Sequence, residues 1–175
     1  INDNTNLPII IYNIPSRCVI DMSVDTMAKL FELKNIVGVK DATGDLNRLD
    51  QTIKKLGPEF IQLTGEDGLA FKFNKRGGVG IISVTANIAP KLCSDMQKLS
   101  KSKSDYDTTE AERIDSLLQP VHKALFIESN PAPVKYAAKL LGLCDESVRL
   151  PLVSIMEETK VKVRNSLISA KLLNE

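Results

Sequence analysis

The chain has 175 residues, 43% of them apolar and 26% charged, enough to bury one sizeable core and too few to expect two. Lys and Arg number 23 against 22 Asp and Glu, a formal charge of +1. That balance excludes long-range electrostatic capture of nucleic acid or an anionic membrane and leaves a small, locally recognised ligand as the expected partner.

Four short runs rich in β-branched residues mark the first half, at 7–12 (LPIIIY), 36–40 (IVGVK), 60–64 (FIQLT) and 79–84 (VGIISV). They are nearly continuous rather than alternating, as in strands covered on both faces, which predicts a parallel sheet. Between them the apolar period becomes helical. Val24, Met27, Leu30 and Phe31 share one side of a segment, Leu46, Leu49, Ile53 and Leu56 one side of the next, and GLAFKFNK is a shorter third. Strand and helix alternate, the signature of right-handed βαβ units.

After the fourth strand only helices are predicted: NIAPKLCSDMQKL with Pro90 in its first turn, 108–126, a segment opening on Asn130 and Pro131 and stopping at Gly142, and 154–173. SKSKSDYD, 100–107, reads as an exposed connector. The expectation is four β/α units followed by three extra helices. Such strands suit either an open doubly wound sheet or half of an eight-stranded barrel, and periodicity does not choose between them. In both, chemistry collects where strands end, here at 12–17, 40–45, 65–67 and 83–87.

Lys40 ends the second strand and turns at once into a polar corner. An ordinary lysine, with a pKa near 10.4, is neutral in only about one molecule in two thousand at pH 7. Desolvation at the head of a buried sheet that lowers this by ~3 units makes the amine a nucleophile able to form a Schiff base with a ketone. The alternative is a lysine that merely snorkels out of the strand end. Tyr12 ends the preceding strand and is placed either to move protons in the same cavity or simply to pack. Arg17, in the same loop, carries a planar fork suited to a carboxylate, though surface arginines are common.

Other patterns carry less. GGVG at 77–80 precedes a strand, whereas a phosphate-binding loop follows one and opens a helix, so it reads as a tight turn. The sole histidine, His122, sits among Leu118, Val121 and Leu125 without ligand spacing and reads as structural. Glu66 and Asp67 form a charged pair or suit the start of a helix. Cys18, Cys93 and Cys144 are odd in number and lack a Cys-x-x-Cys pair, so no disulfide framework, zinc site or other metal is expected, and the reading is cytoplasmic. No apolar run approaches the roughly 20 residues of a membrane span, so the chain is read as soluble. A start at Ile1 rather than methionine suggests a processed product or fragment.

Taken in order, YNIPSR (12–17), GVKDATGD (38–45), TGED (64–67), ISVTANIAP (82–90) and NPAPVK (130–135) resemble the dihydrodipicolinate synthase family within the N-acetylneuraminate lyase and class I aldolase superfamily. The resemblance covers essentially the whole chain. It implies an α/β fold, the second half of a (β/α)8 TIM barrel, with strands five to eight and their helices in 1–107 and a C-terminal helical extension in 108–175. It also implies condensation of pyruvate with aspartate 4-semialdehyde and no cofactor. Lys40 would form the Schiff base, Tyr12 relay protons, Arg17 meet the semialdehyde carboxylate, and the backbone carbonyl of Ile82 line the pyruvate pocket.

Cys18, where the family often has threonine, and Ser129 depart from the pattern without touching that chemistry. The partners implied are the two substrates, further copies forming a homotetramer, and the absent N-terminal half-barrel, which in the family supplies a threonine, a second tyrosine and the amides that hold pyruvate. This chain alone is expected to be inactive. The rival readings are a sialic-acid or keto-deoxy-sugar lyase of the same superfamily, against which Arg17 argues, and a half-barrel assembly module with an idle lysine.

Overall fold

The structure, a computed structural model, describes residues 1–174. The chain divides into two compact units, Ile1–Ile82 and Ser83–Glu175. The sequence-based line at 107, drawn to separate barrel half from extension, falls just inside a helix that begins at Asp105.

In the first unit, β1 (Ile9–Asn13), β2 (Ile36–Asp41), β3 (Ile61–Thr64) and β4 (Gly80–Ile81) form one sheet in sequential order. Every neighbouring pair is parallel. Helices α1 (Pro15–Cys18) and α2 (Val24–Phe31) follow β1, α3 (Leu46–Leu56) follows β2, and a 3-10 turn (Asp67–Leu69) leads into α4 (Ala70–Lys75) after β3. The helix starts are fixed locally. Ser23 accepts a hydrogen bond from the Thr26 amide at 3.1 Å, and Asp45 one from the Asn47 amide at 2.9 Å, each satisfying a donor that the first turn leaves free.

One face of the sheet is packed: Met27, Ile36, Val39 and Phe60 are buried together, with Ile9, Ile11 and Leu30 against them. Phe31 meets Phe60 edge to face at 5.0 Å between centroids. The other face departs from the expectation of cover on both sides, since Ile10 is 41% and Tyr12 51% exposed. An apolar run has the same composition whether its second face meets helices of its own segment or side chains of other strands, so the sequence does not separate the two. The expected fourth strand, 79–84, shrinks to Gly80–Ile81. The ladder extends one residue to either side, the Val79 amide donating to the Gln62 carbonyl and the Ile82 amide to the Thr64 carbonyl.

The second unit opens with a 3-10 turn (Thr85–Asn87), seeded by the Ser83 hydroxyl accepting from the Ala86 amide, followed by α5 (Pro90–Leu99). The three further helices are α6 (Asp105–Ala124), α7 (Ala132–Leu140) and α8 (Glu157–Ser169). α6 starts earlier than its apolar period suggests, because the Ser104 hydroxyl caps it by accepting from Asp107. Val121, Leu125, Val134, Ala137, Val163 and Leu167 form this unit's core. His122 is buried with its Nδ1 2.7 Å from the Thr85 hydroxyl, a placement that fits the structural role read for it. Among the described residues no helix is long and apolar enough to cross a membrane.

Candidate active site

Parallel pairing sets Tyr12 of β1 beside Lys40 of β2, and Lys40 in turn beside Leu63 of β3. Cross-strand partners point to the same face, so Tyr12 and Lys40 share the open side of the sheet at its C-terminal rim. They are in contact: Lys40 Nζ lies 3.8 Å from the centroid of the Tyr12 ring. Such a cation–π contact contributes about 0.5–1 kcal/mol at an exposed site, enough to bias the amine toward the phenol rather than outward along the strand.

Three backbone hydrogen bonds carry the ladder past the strand ends. The Ala42 amide donates to Asn13 at 2.9 Å, Gly65 to Asp41 at 2.7 Å, and Ile82 to Thr64 at 3.0 Å. The rim is thereby tied across all four strands.

Asp41, the next residue along β2, points to the opposite face and is fully engaged there. Its carboxylate accepts from the Thr43 amide at 2.9 Å, from the Thr43 hydroxyl, and from Asn13 Nδ2 at 3.3 Å. Arg48 Nε lies 2.9 Å away, an ion pair too poorly aligned to count as a hydrogen bond. Arg48 also reaches Asp21 at 3.0 Å, and Asn13 clamps the following loop by donating to Asp21 and accepting from the Met22 amide. The carboxylate nearest Lys40 in sequence is thus held away from it. None of this network is evident in the sequence, because its bonded partners are up to 28 residues apart.

In the sequence Glu66 is either half of a charged pair with Asp67 or part of a helix start. Half-buried at the head of β3, it has its carboxyl pushed above the usual range of about 4.5, chiefly by burial, then by the negative charges of Asp67 and Asp41, against an opposing pull from Lys40. It belongs to the electrostatic neighbourhood of the amine.

The remaining sequence candidates follow the ends of β1 and β4. Arg17 is in α1, in the loop that leaves Tyr12, and its exposed guanidinium has no acidic partner among the described residues. Ile82, 49% exposed, follows the end of β4. The described residues contain no group of three or more His, Cys, Asp or Glu placed to hold a metal ion, and no disulfide is formed among them.

Parallel α/β architecture with a lysine and a tyrosine in contact at the C-terminal rim of the strands puts an amine and a phenol where such folds gather their chemistry. The profile of the Dihydrodipicolinate synthetase family matches residues 1–170, and the chain belongs to that family. Among curated relatives, the 4-hydroxy-tetrahydrodipicolinate synthase of Pelagibacter ubique is 67% identical over 173 residues, covering 99% of this chain and 59% of its own length. That of Parvibaculum lavamentivorans is 52% identical over 174 residues, with the same two coverages.

Among solved structures, the synthase from Methylacidiphilum fumariolicum SolV superposes with a TM-score of 0.93 at 39% identity, over 97% of this chain and 56% of that one. The chloride-inhibited dihydrodipicolinate synthase from Acinetobacter baumannii complexed with pyruvate gives 0.92 at 40%, over 98% and 58%. The chain therefore spans about three fifths of the curated relatives it matches, and its four parallel strands are the second half of a (β/α)8 barrel sheet, followed by C-terminal helices.

Proposed function

We propose that this chain is the C-terminal three fifths of a synthase that condenses pyruvate with L-aspartate 4-semialdehyde on the route to diaminopimelate and lysine. Residues 1–107 supply strands five to eight with their helices, and 108–175 the helical extension. The observation that carries the proposal is the contact between Lys40 and Tyr12, with Nζ 3.8 Å from the ring centroid, in a chain of this family.

The amine of Lys40, having given up its proton, adds to the C2 carbonyl of pyruvate; the carbinolamine hydroxyl takes up a proton and leaves as water, giving an iminium. That cation is the electron sink for removal of a C3 proton, leaving an enamine whose C3 attacks the aldehyde carbon of the second substrate. Tyr12 carries protons in these steps. Arg17, exposed and without an acidic partner among the described residues, receives the semialdehyde carboxylate in bidentate fashion. The Ile82 carbonyl lines the pyruvate pocket. Asp41 is kept on Arg48 by the network behind the sheet, so no carboxylate adjacent in the strand neutralises the amine side.

The partners of the tyrosine relay and the amides that bind pyruvate belong to the portion this chain lacks. A closed barrel takes about 250 residues, so the isolated chain is inactive. The complete synthase works in the cytoplasm as a homo-oligomer, a tetramer in the family, and needs no cofactor.

The test is substrate competition in the complete synthase, in which this chain is joined to the portion its relatives carry. Pyruvate and aspartate semialdehyde are expected to be consumed together, with turnover lost in Lys40→Ala. Cleavage of sialic acid or a keto-deoxy sugar without use of the semialdehyde would transfer the chain to the sister lyases. Unchanged turnover in Lys40→Ala would leave the lysine idle and the half-barrel as an assembly module.

A further inference from the structure

We infer that Gly65 is a positioning residue for Lys40, its missing side chain leaving the slot in which the lysine stem lies. The inference rests on the Schiff-base reading of Lys40. Gly65 follows β3, and its amide is tied at 2.7 Å to the carbonyl of Asp41, the residue after Lys40. Its backbone therefore cannot drift away from β2. A Cβ at this position would stand 2.8 Å from Ala42 Cβ and 3.1 Å from Lys40 Cε, both inside ordinary van der Waals contact.

Those two contacts yield differently. Ala42 is buried, and its amide is hydrogen-bonded to Asn13, so its methyl group moves only with the backbone. Lys40 Cε belongs to a flexible stem that swings aside at little cost. A methyl group at Gly65 thus loads the strands through Ala42 and re-aims the amine through Lys40. Since Nζ is one bond beyond Cε, displacing Cε by a few tenths of an ångström re-aims the nucleophile and disturbs its seat over the Tyr12 ring. Misplacing a reacting group by about 1 Å can cost on the order of 100-fold.

Removing the Ala42 methyl group separates the two effects, so the test is run in two backgrounds of the complete synthase: Gly65→Ala against the parent, and Gly65→Ala/Ala42→Gly against Ala42→Gly. The measurements are the melting temperature, the rate at which borohydride traps pyruvate on Lys40, and the pyruvate concentration that half-saturates trapping.

In the Ala42→Gly background, Gly65→Ala is expected to leave the melting temperature nearly unchanged while slowing trapping by about three- to tenfold. Half-saturation should move less than about threefold, because the groups that bind the keto acid are untouched. Trapping at the rate of the Ala42→Gly reference would overturn the inference and reduce Gly65 to strand packing. Should Gly65→Ala alone fail to fold, the double variant, relieved of the 2.8 Å contact, decides the matter. A parent that takes up no pyruvate on Lys40 would overturn the proposed function itself. A labelled parent with an unaffected double variant would overturn only the role of Gly65.

Discussion

Lys40 and Asp41 are neighbours in one strand, yet they serve opposite faces, and the separation depends on strand alternation. Glu66 provides a titration that reads the same rim. Its folded carboxyl keeps a proton to higher pH than the ordinary value of about 4.5, so folding takes up a proton between those two values and stability falls as pH rises through that window. Glu66→Gln should therefore be more stable than the parent in neutral denaturant titrations and no different near pH 3, where both side chains are neutral. A variant equally stable at both pH values would show that the carboxyl is not under this pressure. Val19 carries backbone strain: it is a β-branched residue with φ of 66° at the end of α1, 90% exposed. Glycine adopts a left-handed φ without the Cβ penalty, so Val19→Gly should gain about 1 kcal/mol in chemical denaturation despite its added unfolded-state entropy.

At the scale of elements, the packed face of the sheet carries the first unit. Phe60, 2% exposed and edge to face with Phe31, joins β3 to the helix layer, and Phe60→Ala should cost about 3–5 kcal/mol by denaturant midpoint. A loss below about 1 kcal/mol would mean that α2 does not rest on this side chain. Helices announced themselves in the sequence where period and cap agreed: α3 runs from Leu46 to Leu56 as its apolar spacing requires, with Asp45 as its cap. Bounds were misread where a hydroxyl outweighed hydropathy, as with Ser104 extending α6 backward and Ser83 turning the chain soon after β4. Of the candidate site, Lys40 and Tyr12 were legible because each ends an apolar run. The Arg48 clamp and the Gly65 slot were not, because they are made by residues of different strands, loops and, for Arg48, helix α3, brought together only by the fold.

On the scale of the molecule, β1 and β4 are the two edges of a four-stranded sheet, and the face bearing Ile10 and Tyr12 is open. Unpaired edges and exposed apolar surface favour association. The isolated chain should therefore sediment as oligomers or aggregates and show no synthase turnover, and a monodisperse, active monomer would refute both statements. Co-expression with the portion its relatives carry should restore solubility and activity together. The most direct test of the account is borohydride reduction of the complete synthase with pyruvate, followed by peptide mass mapping. One reduced pyruvate should be found on Lys40 and none on the Lys40→Arg variant. Turnover of pyruvate with Lys40 unmodified, or with the label on another lysine, would contradict it.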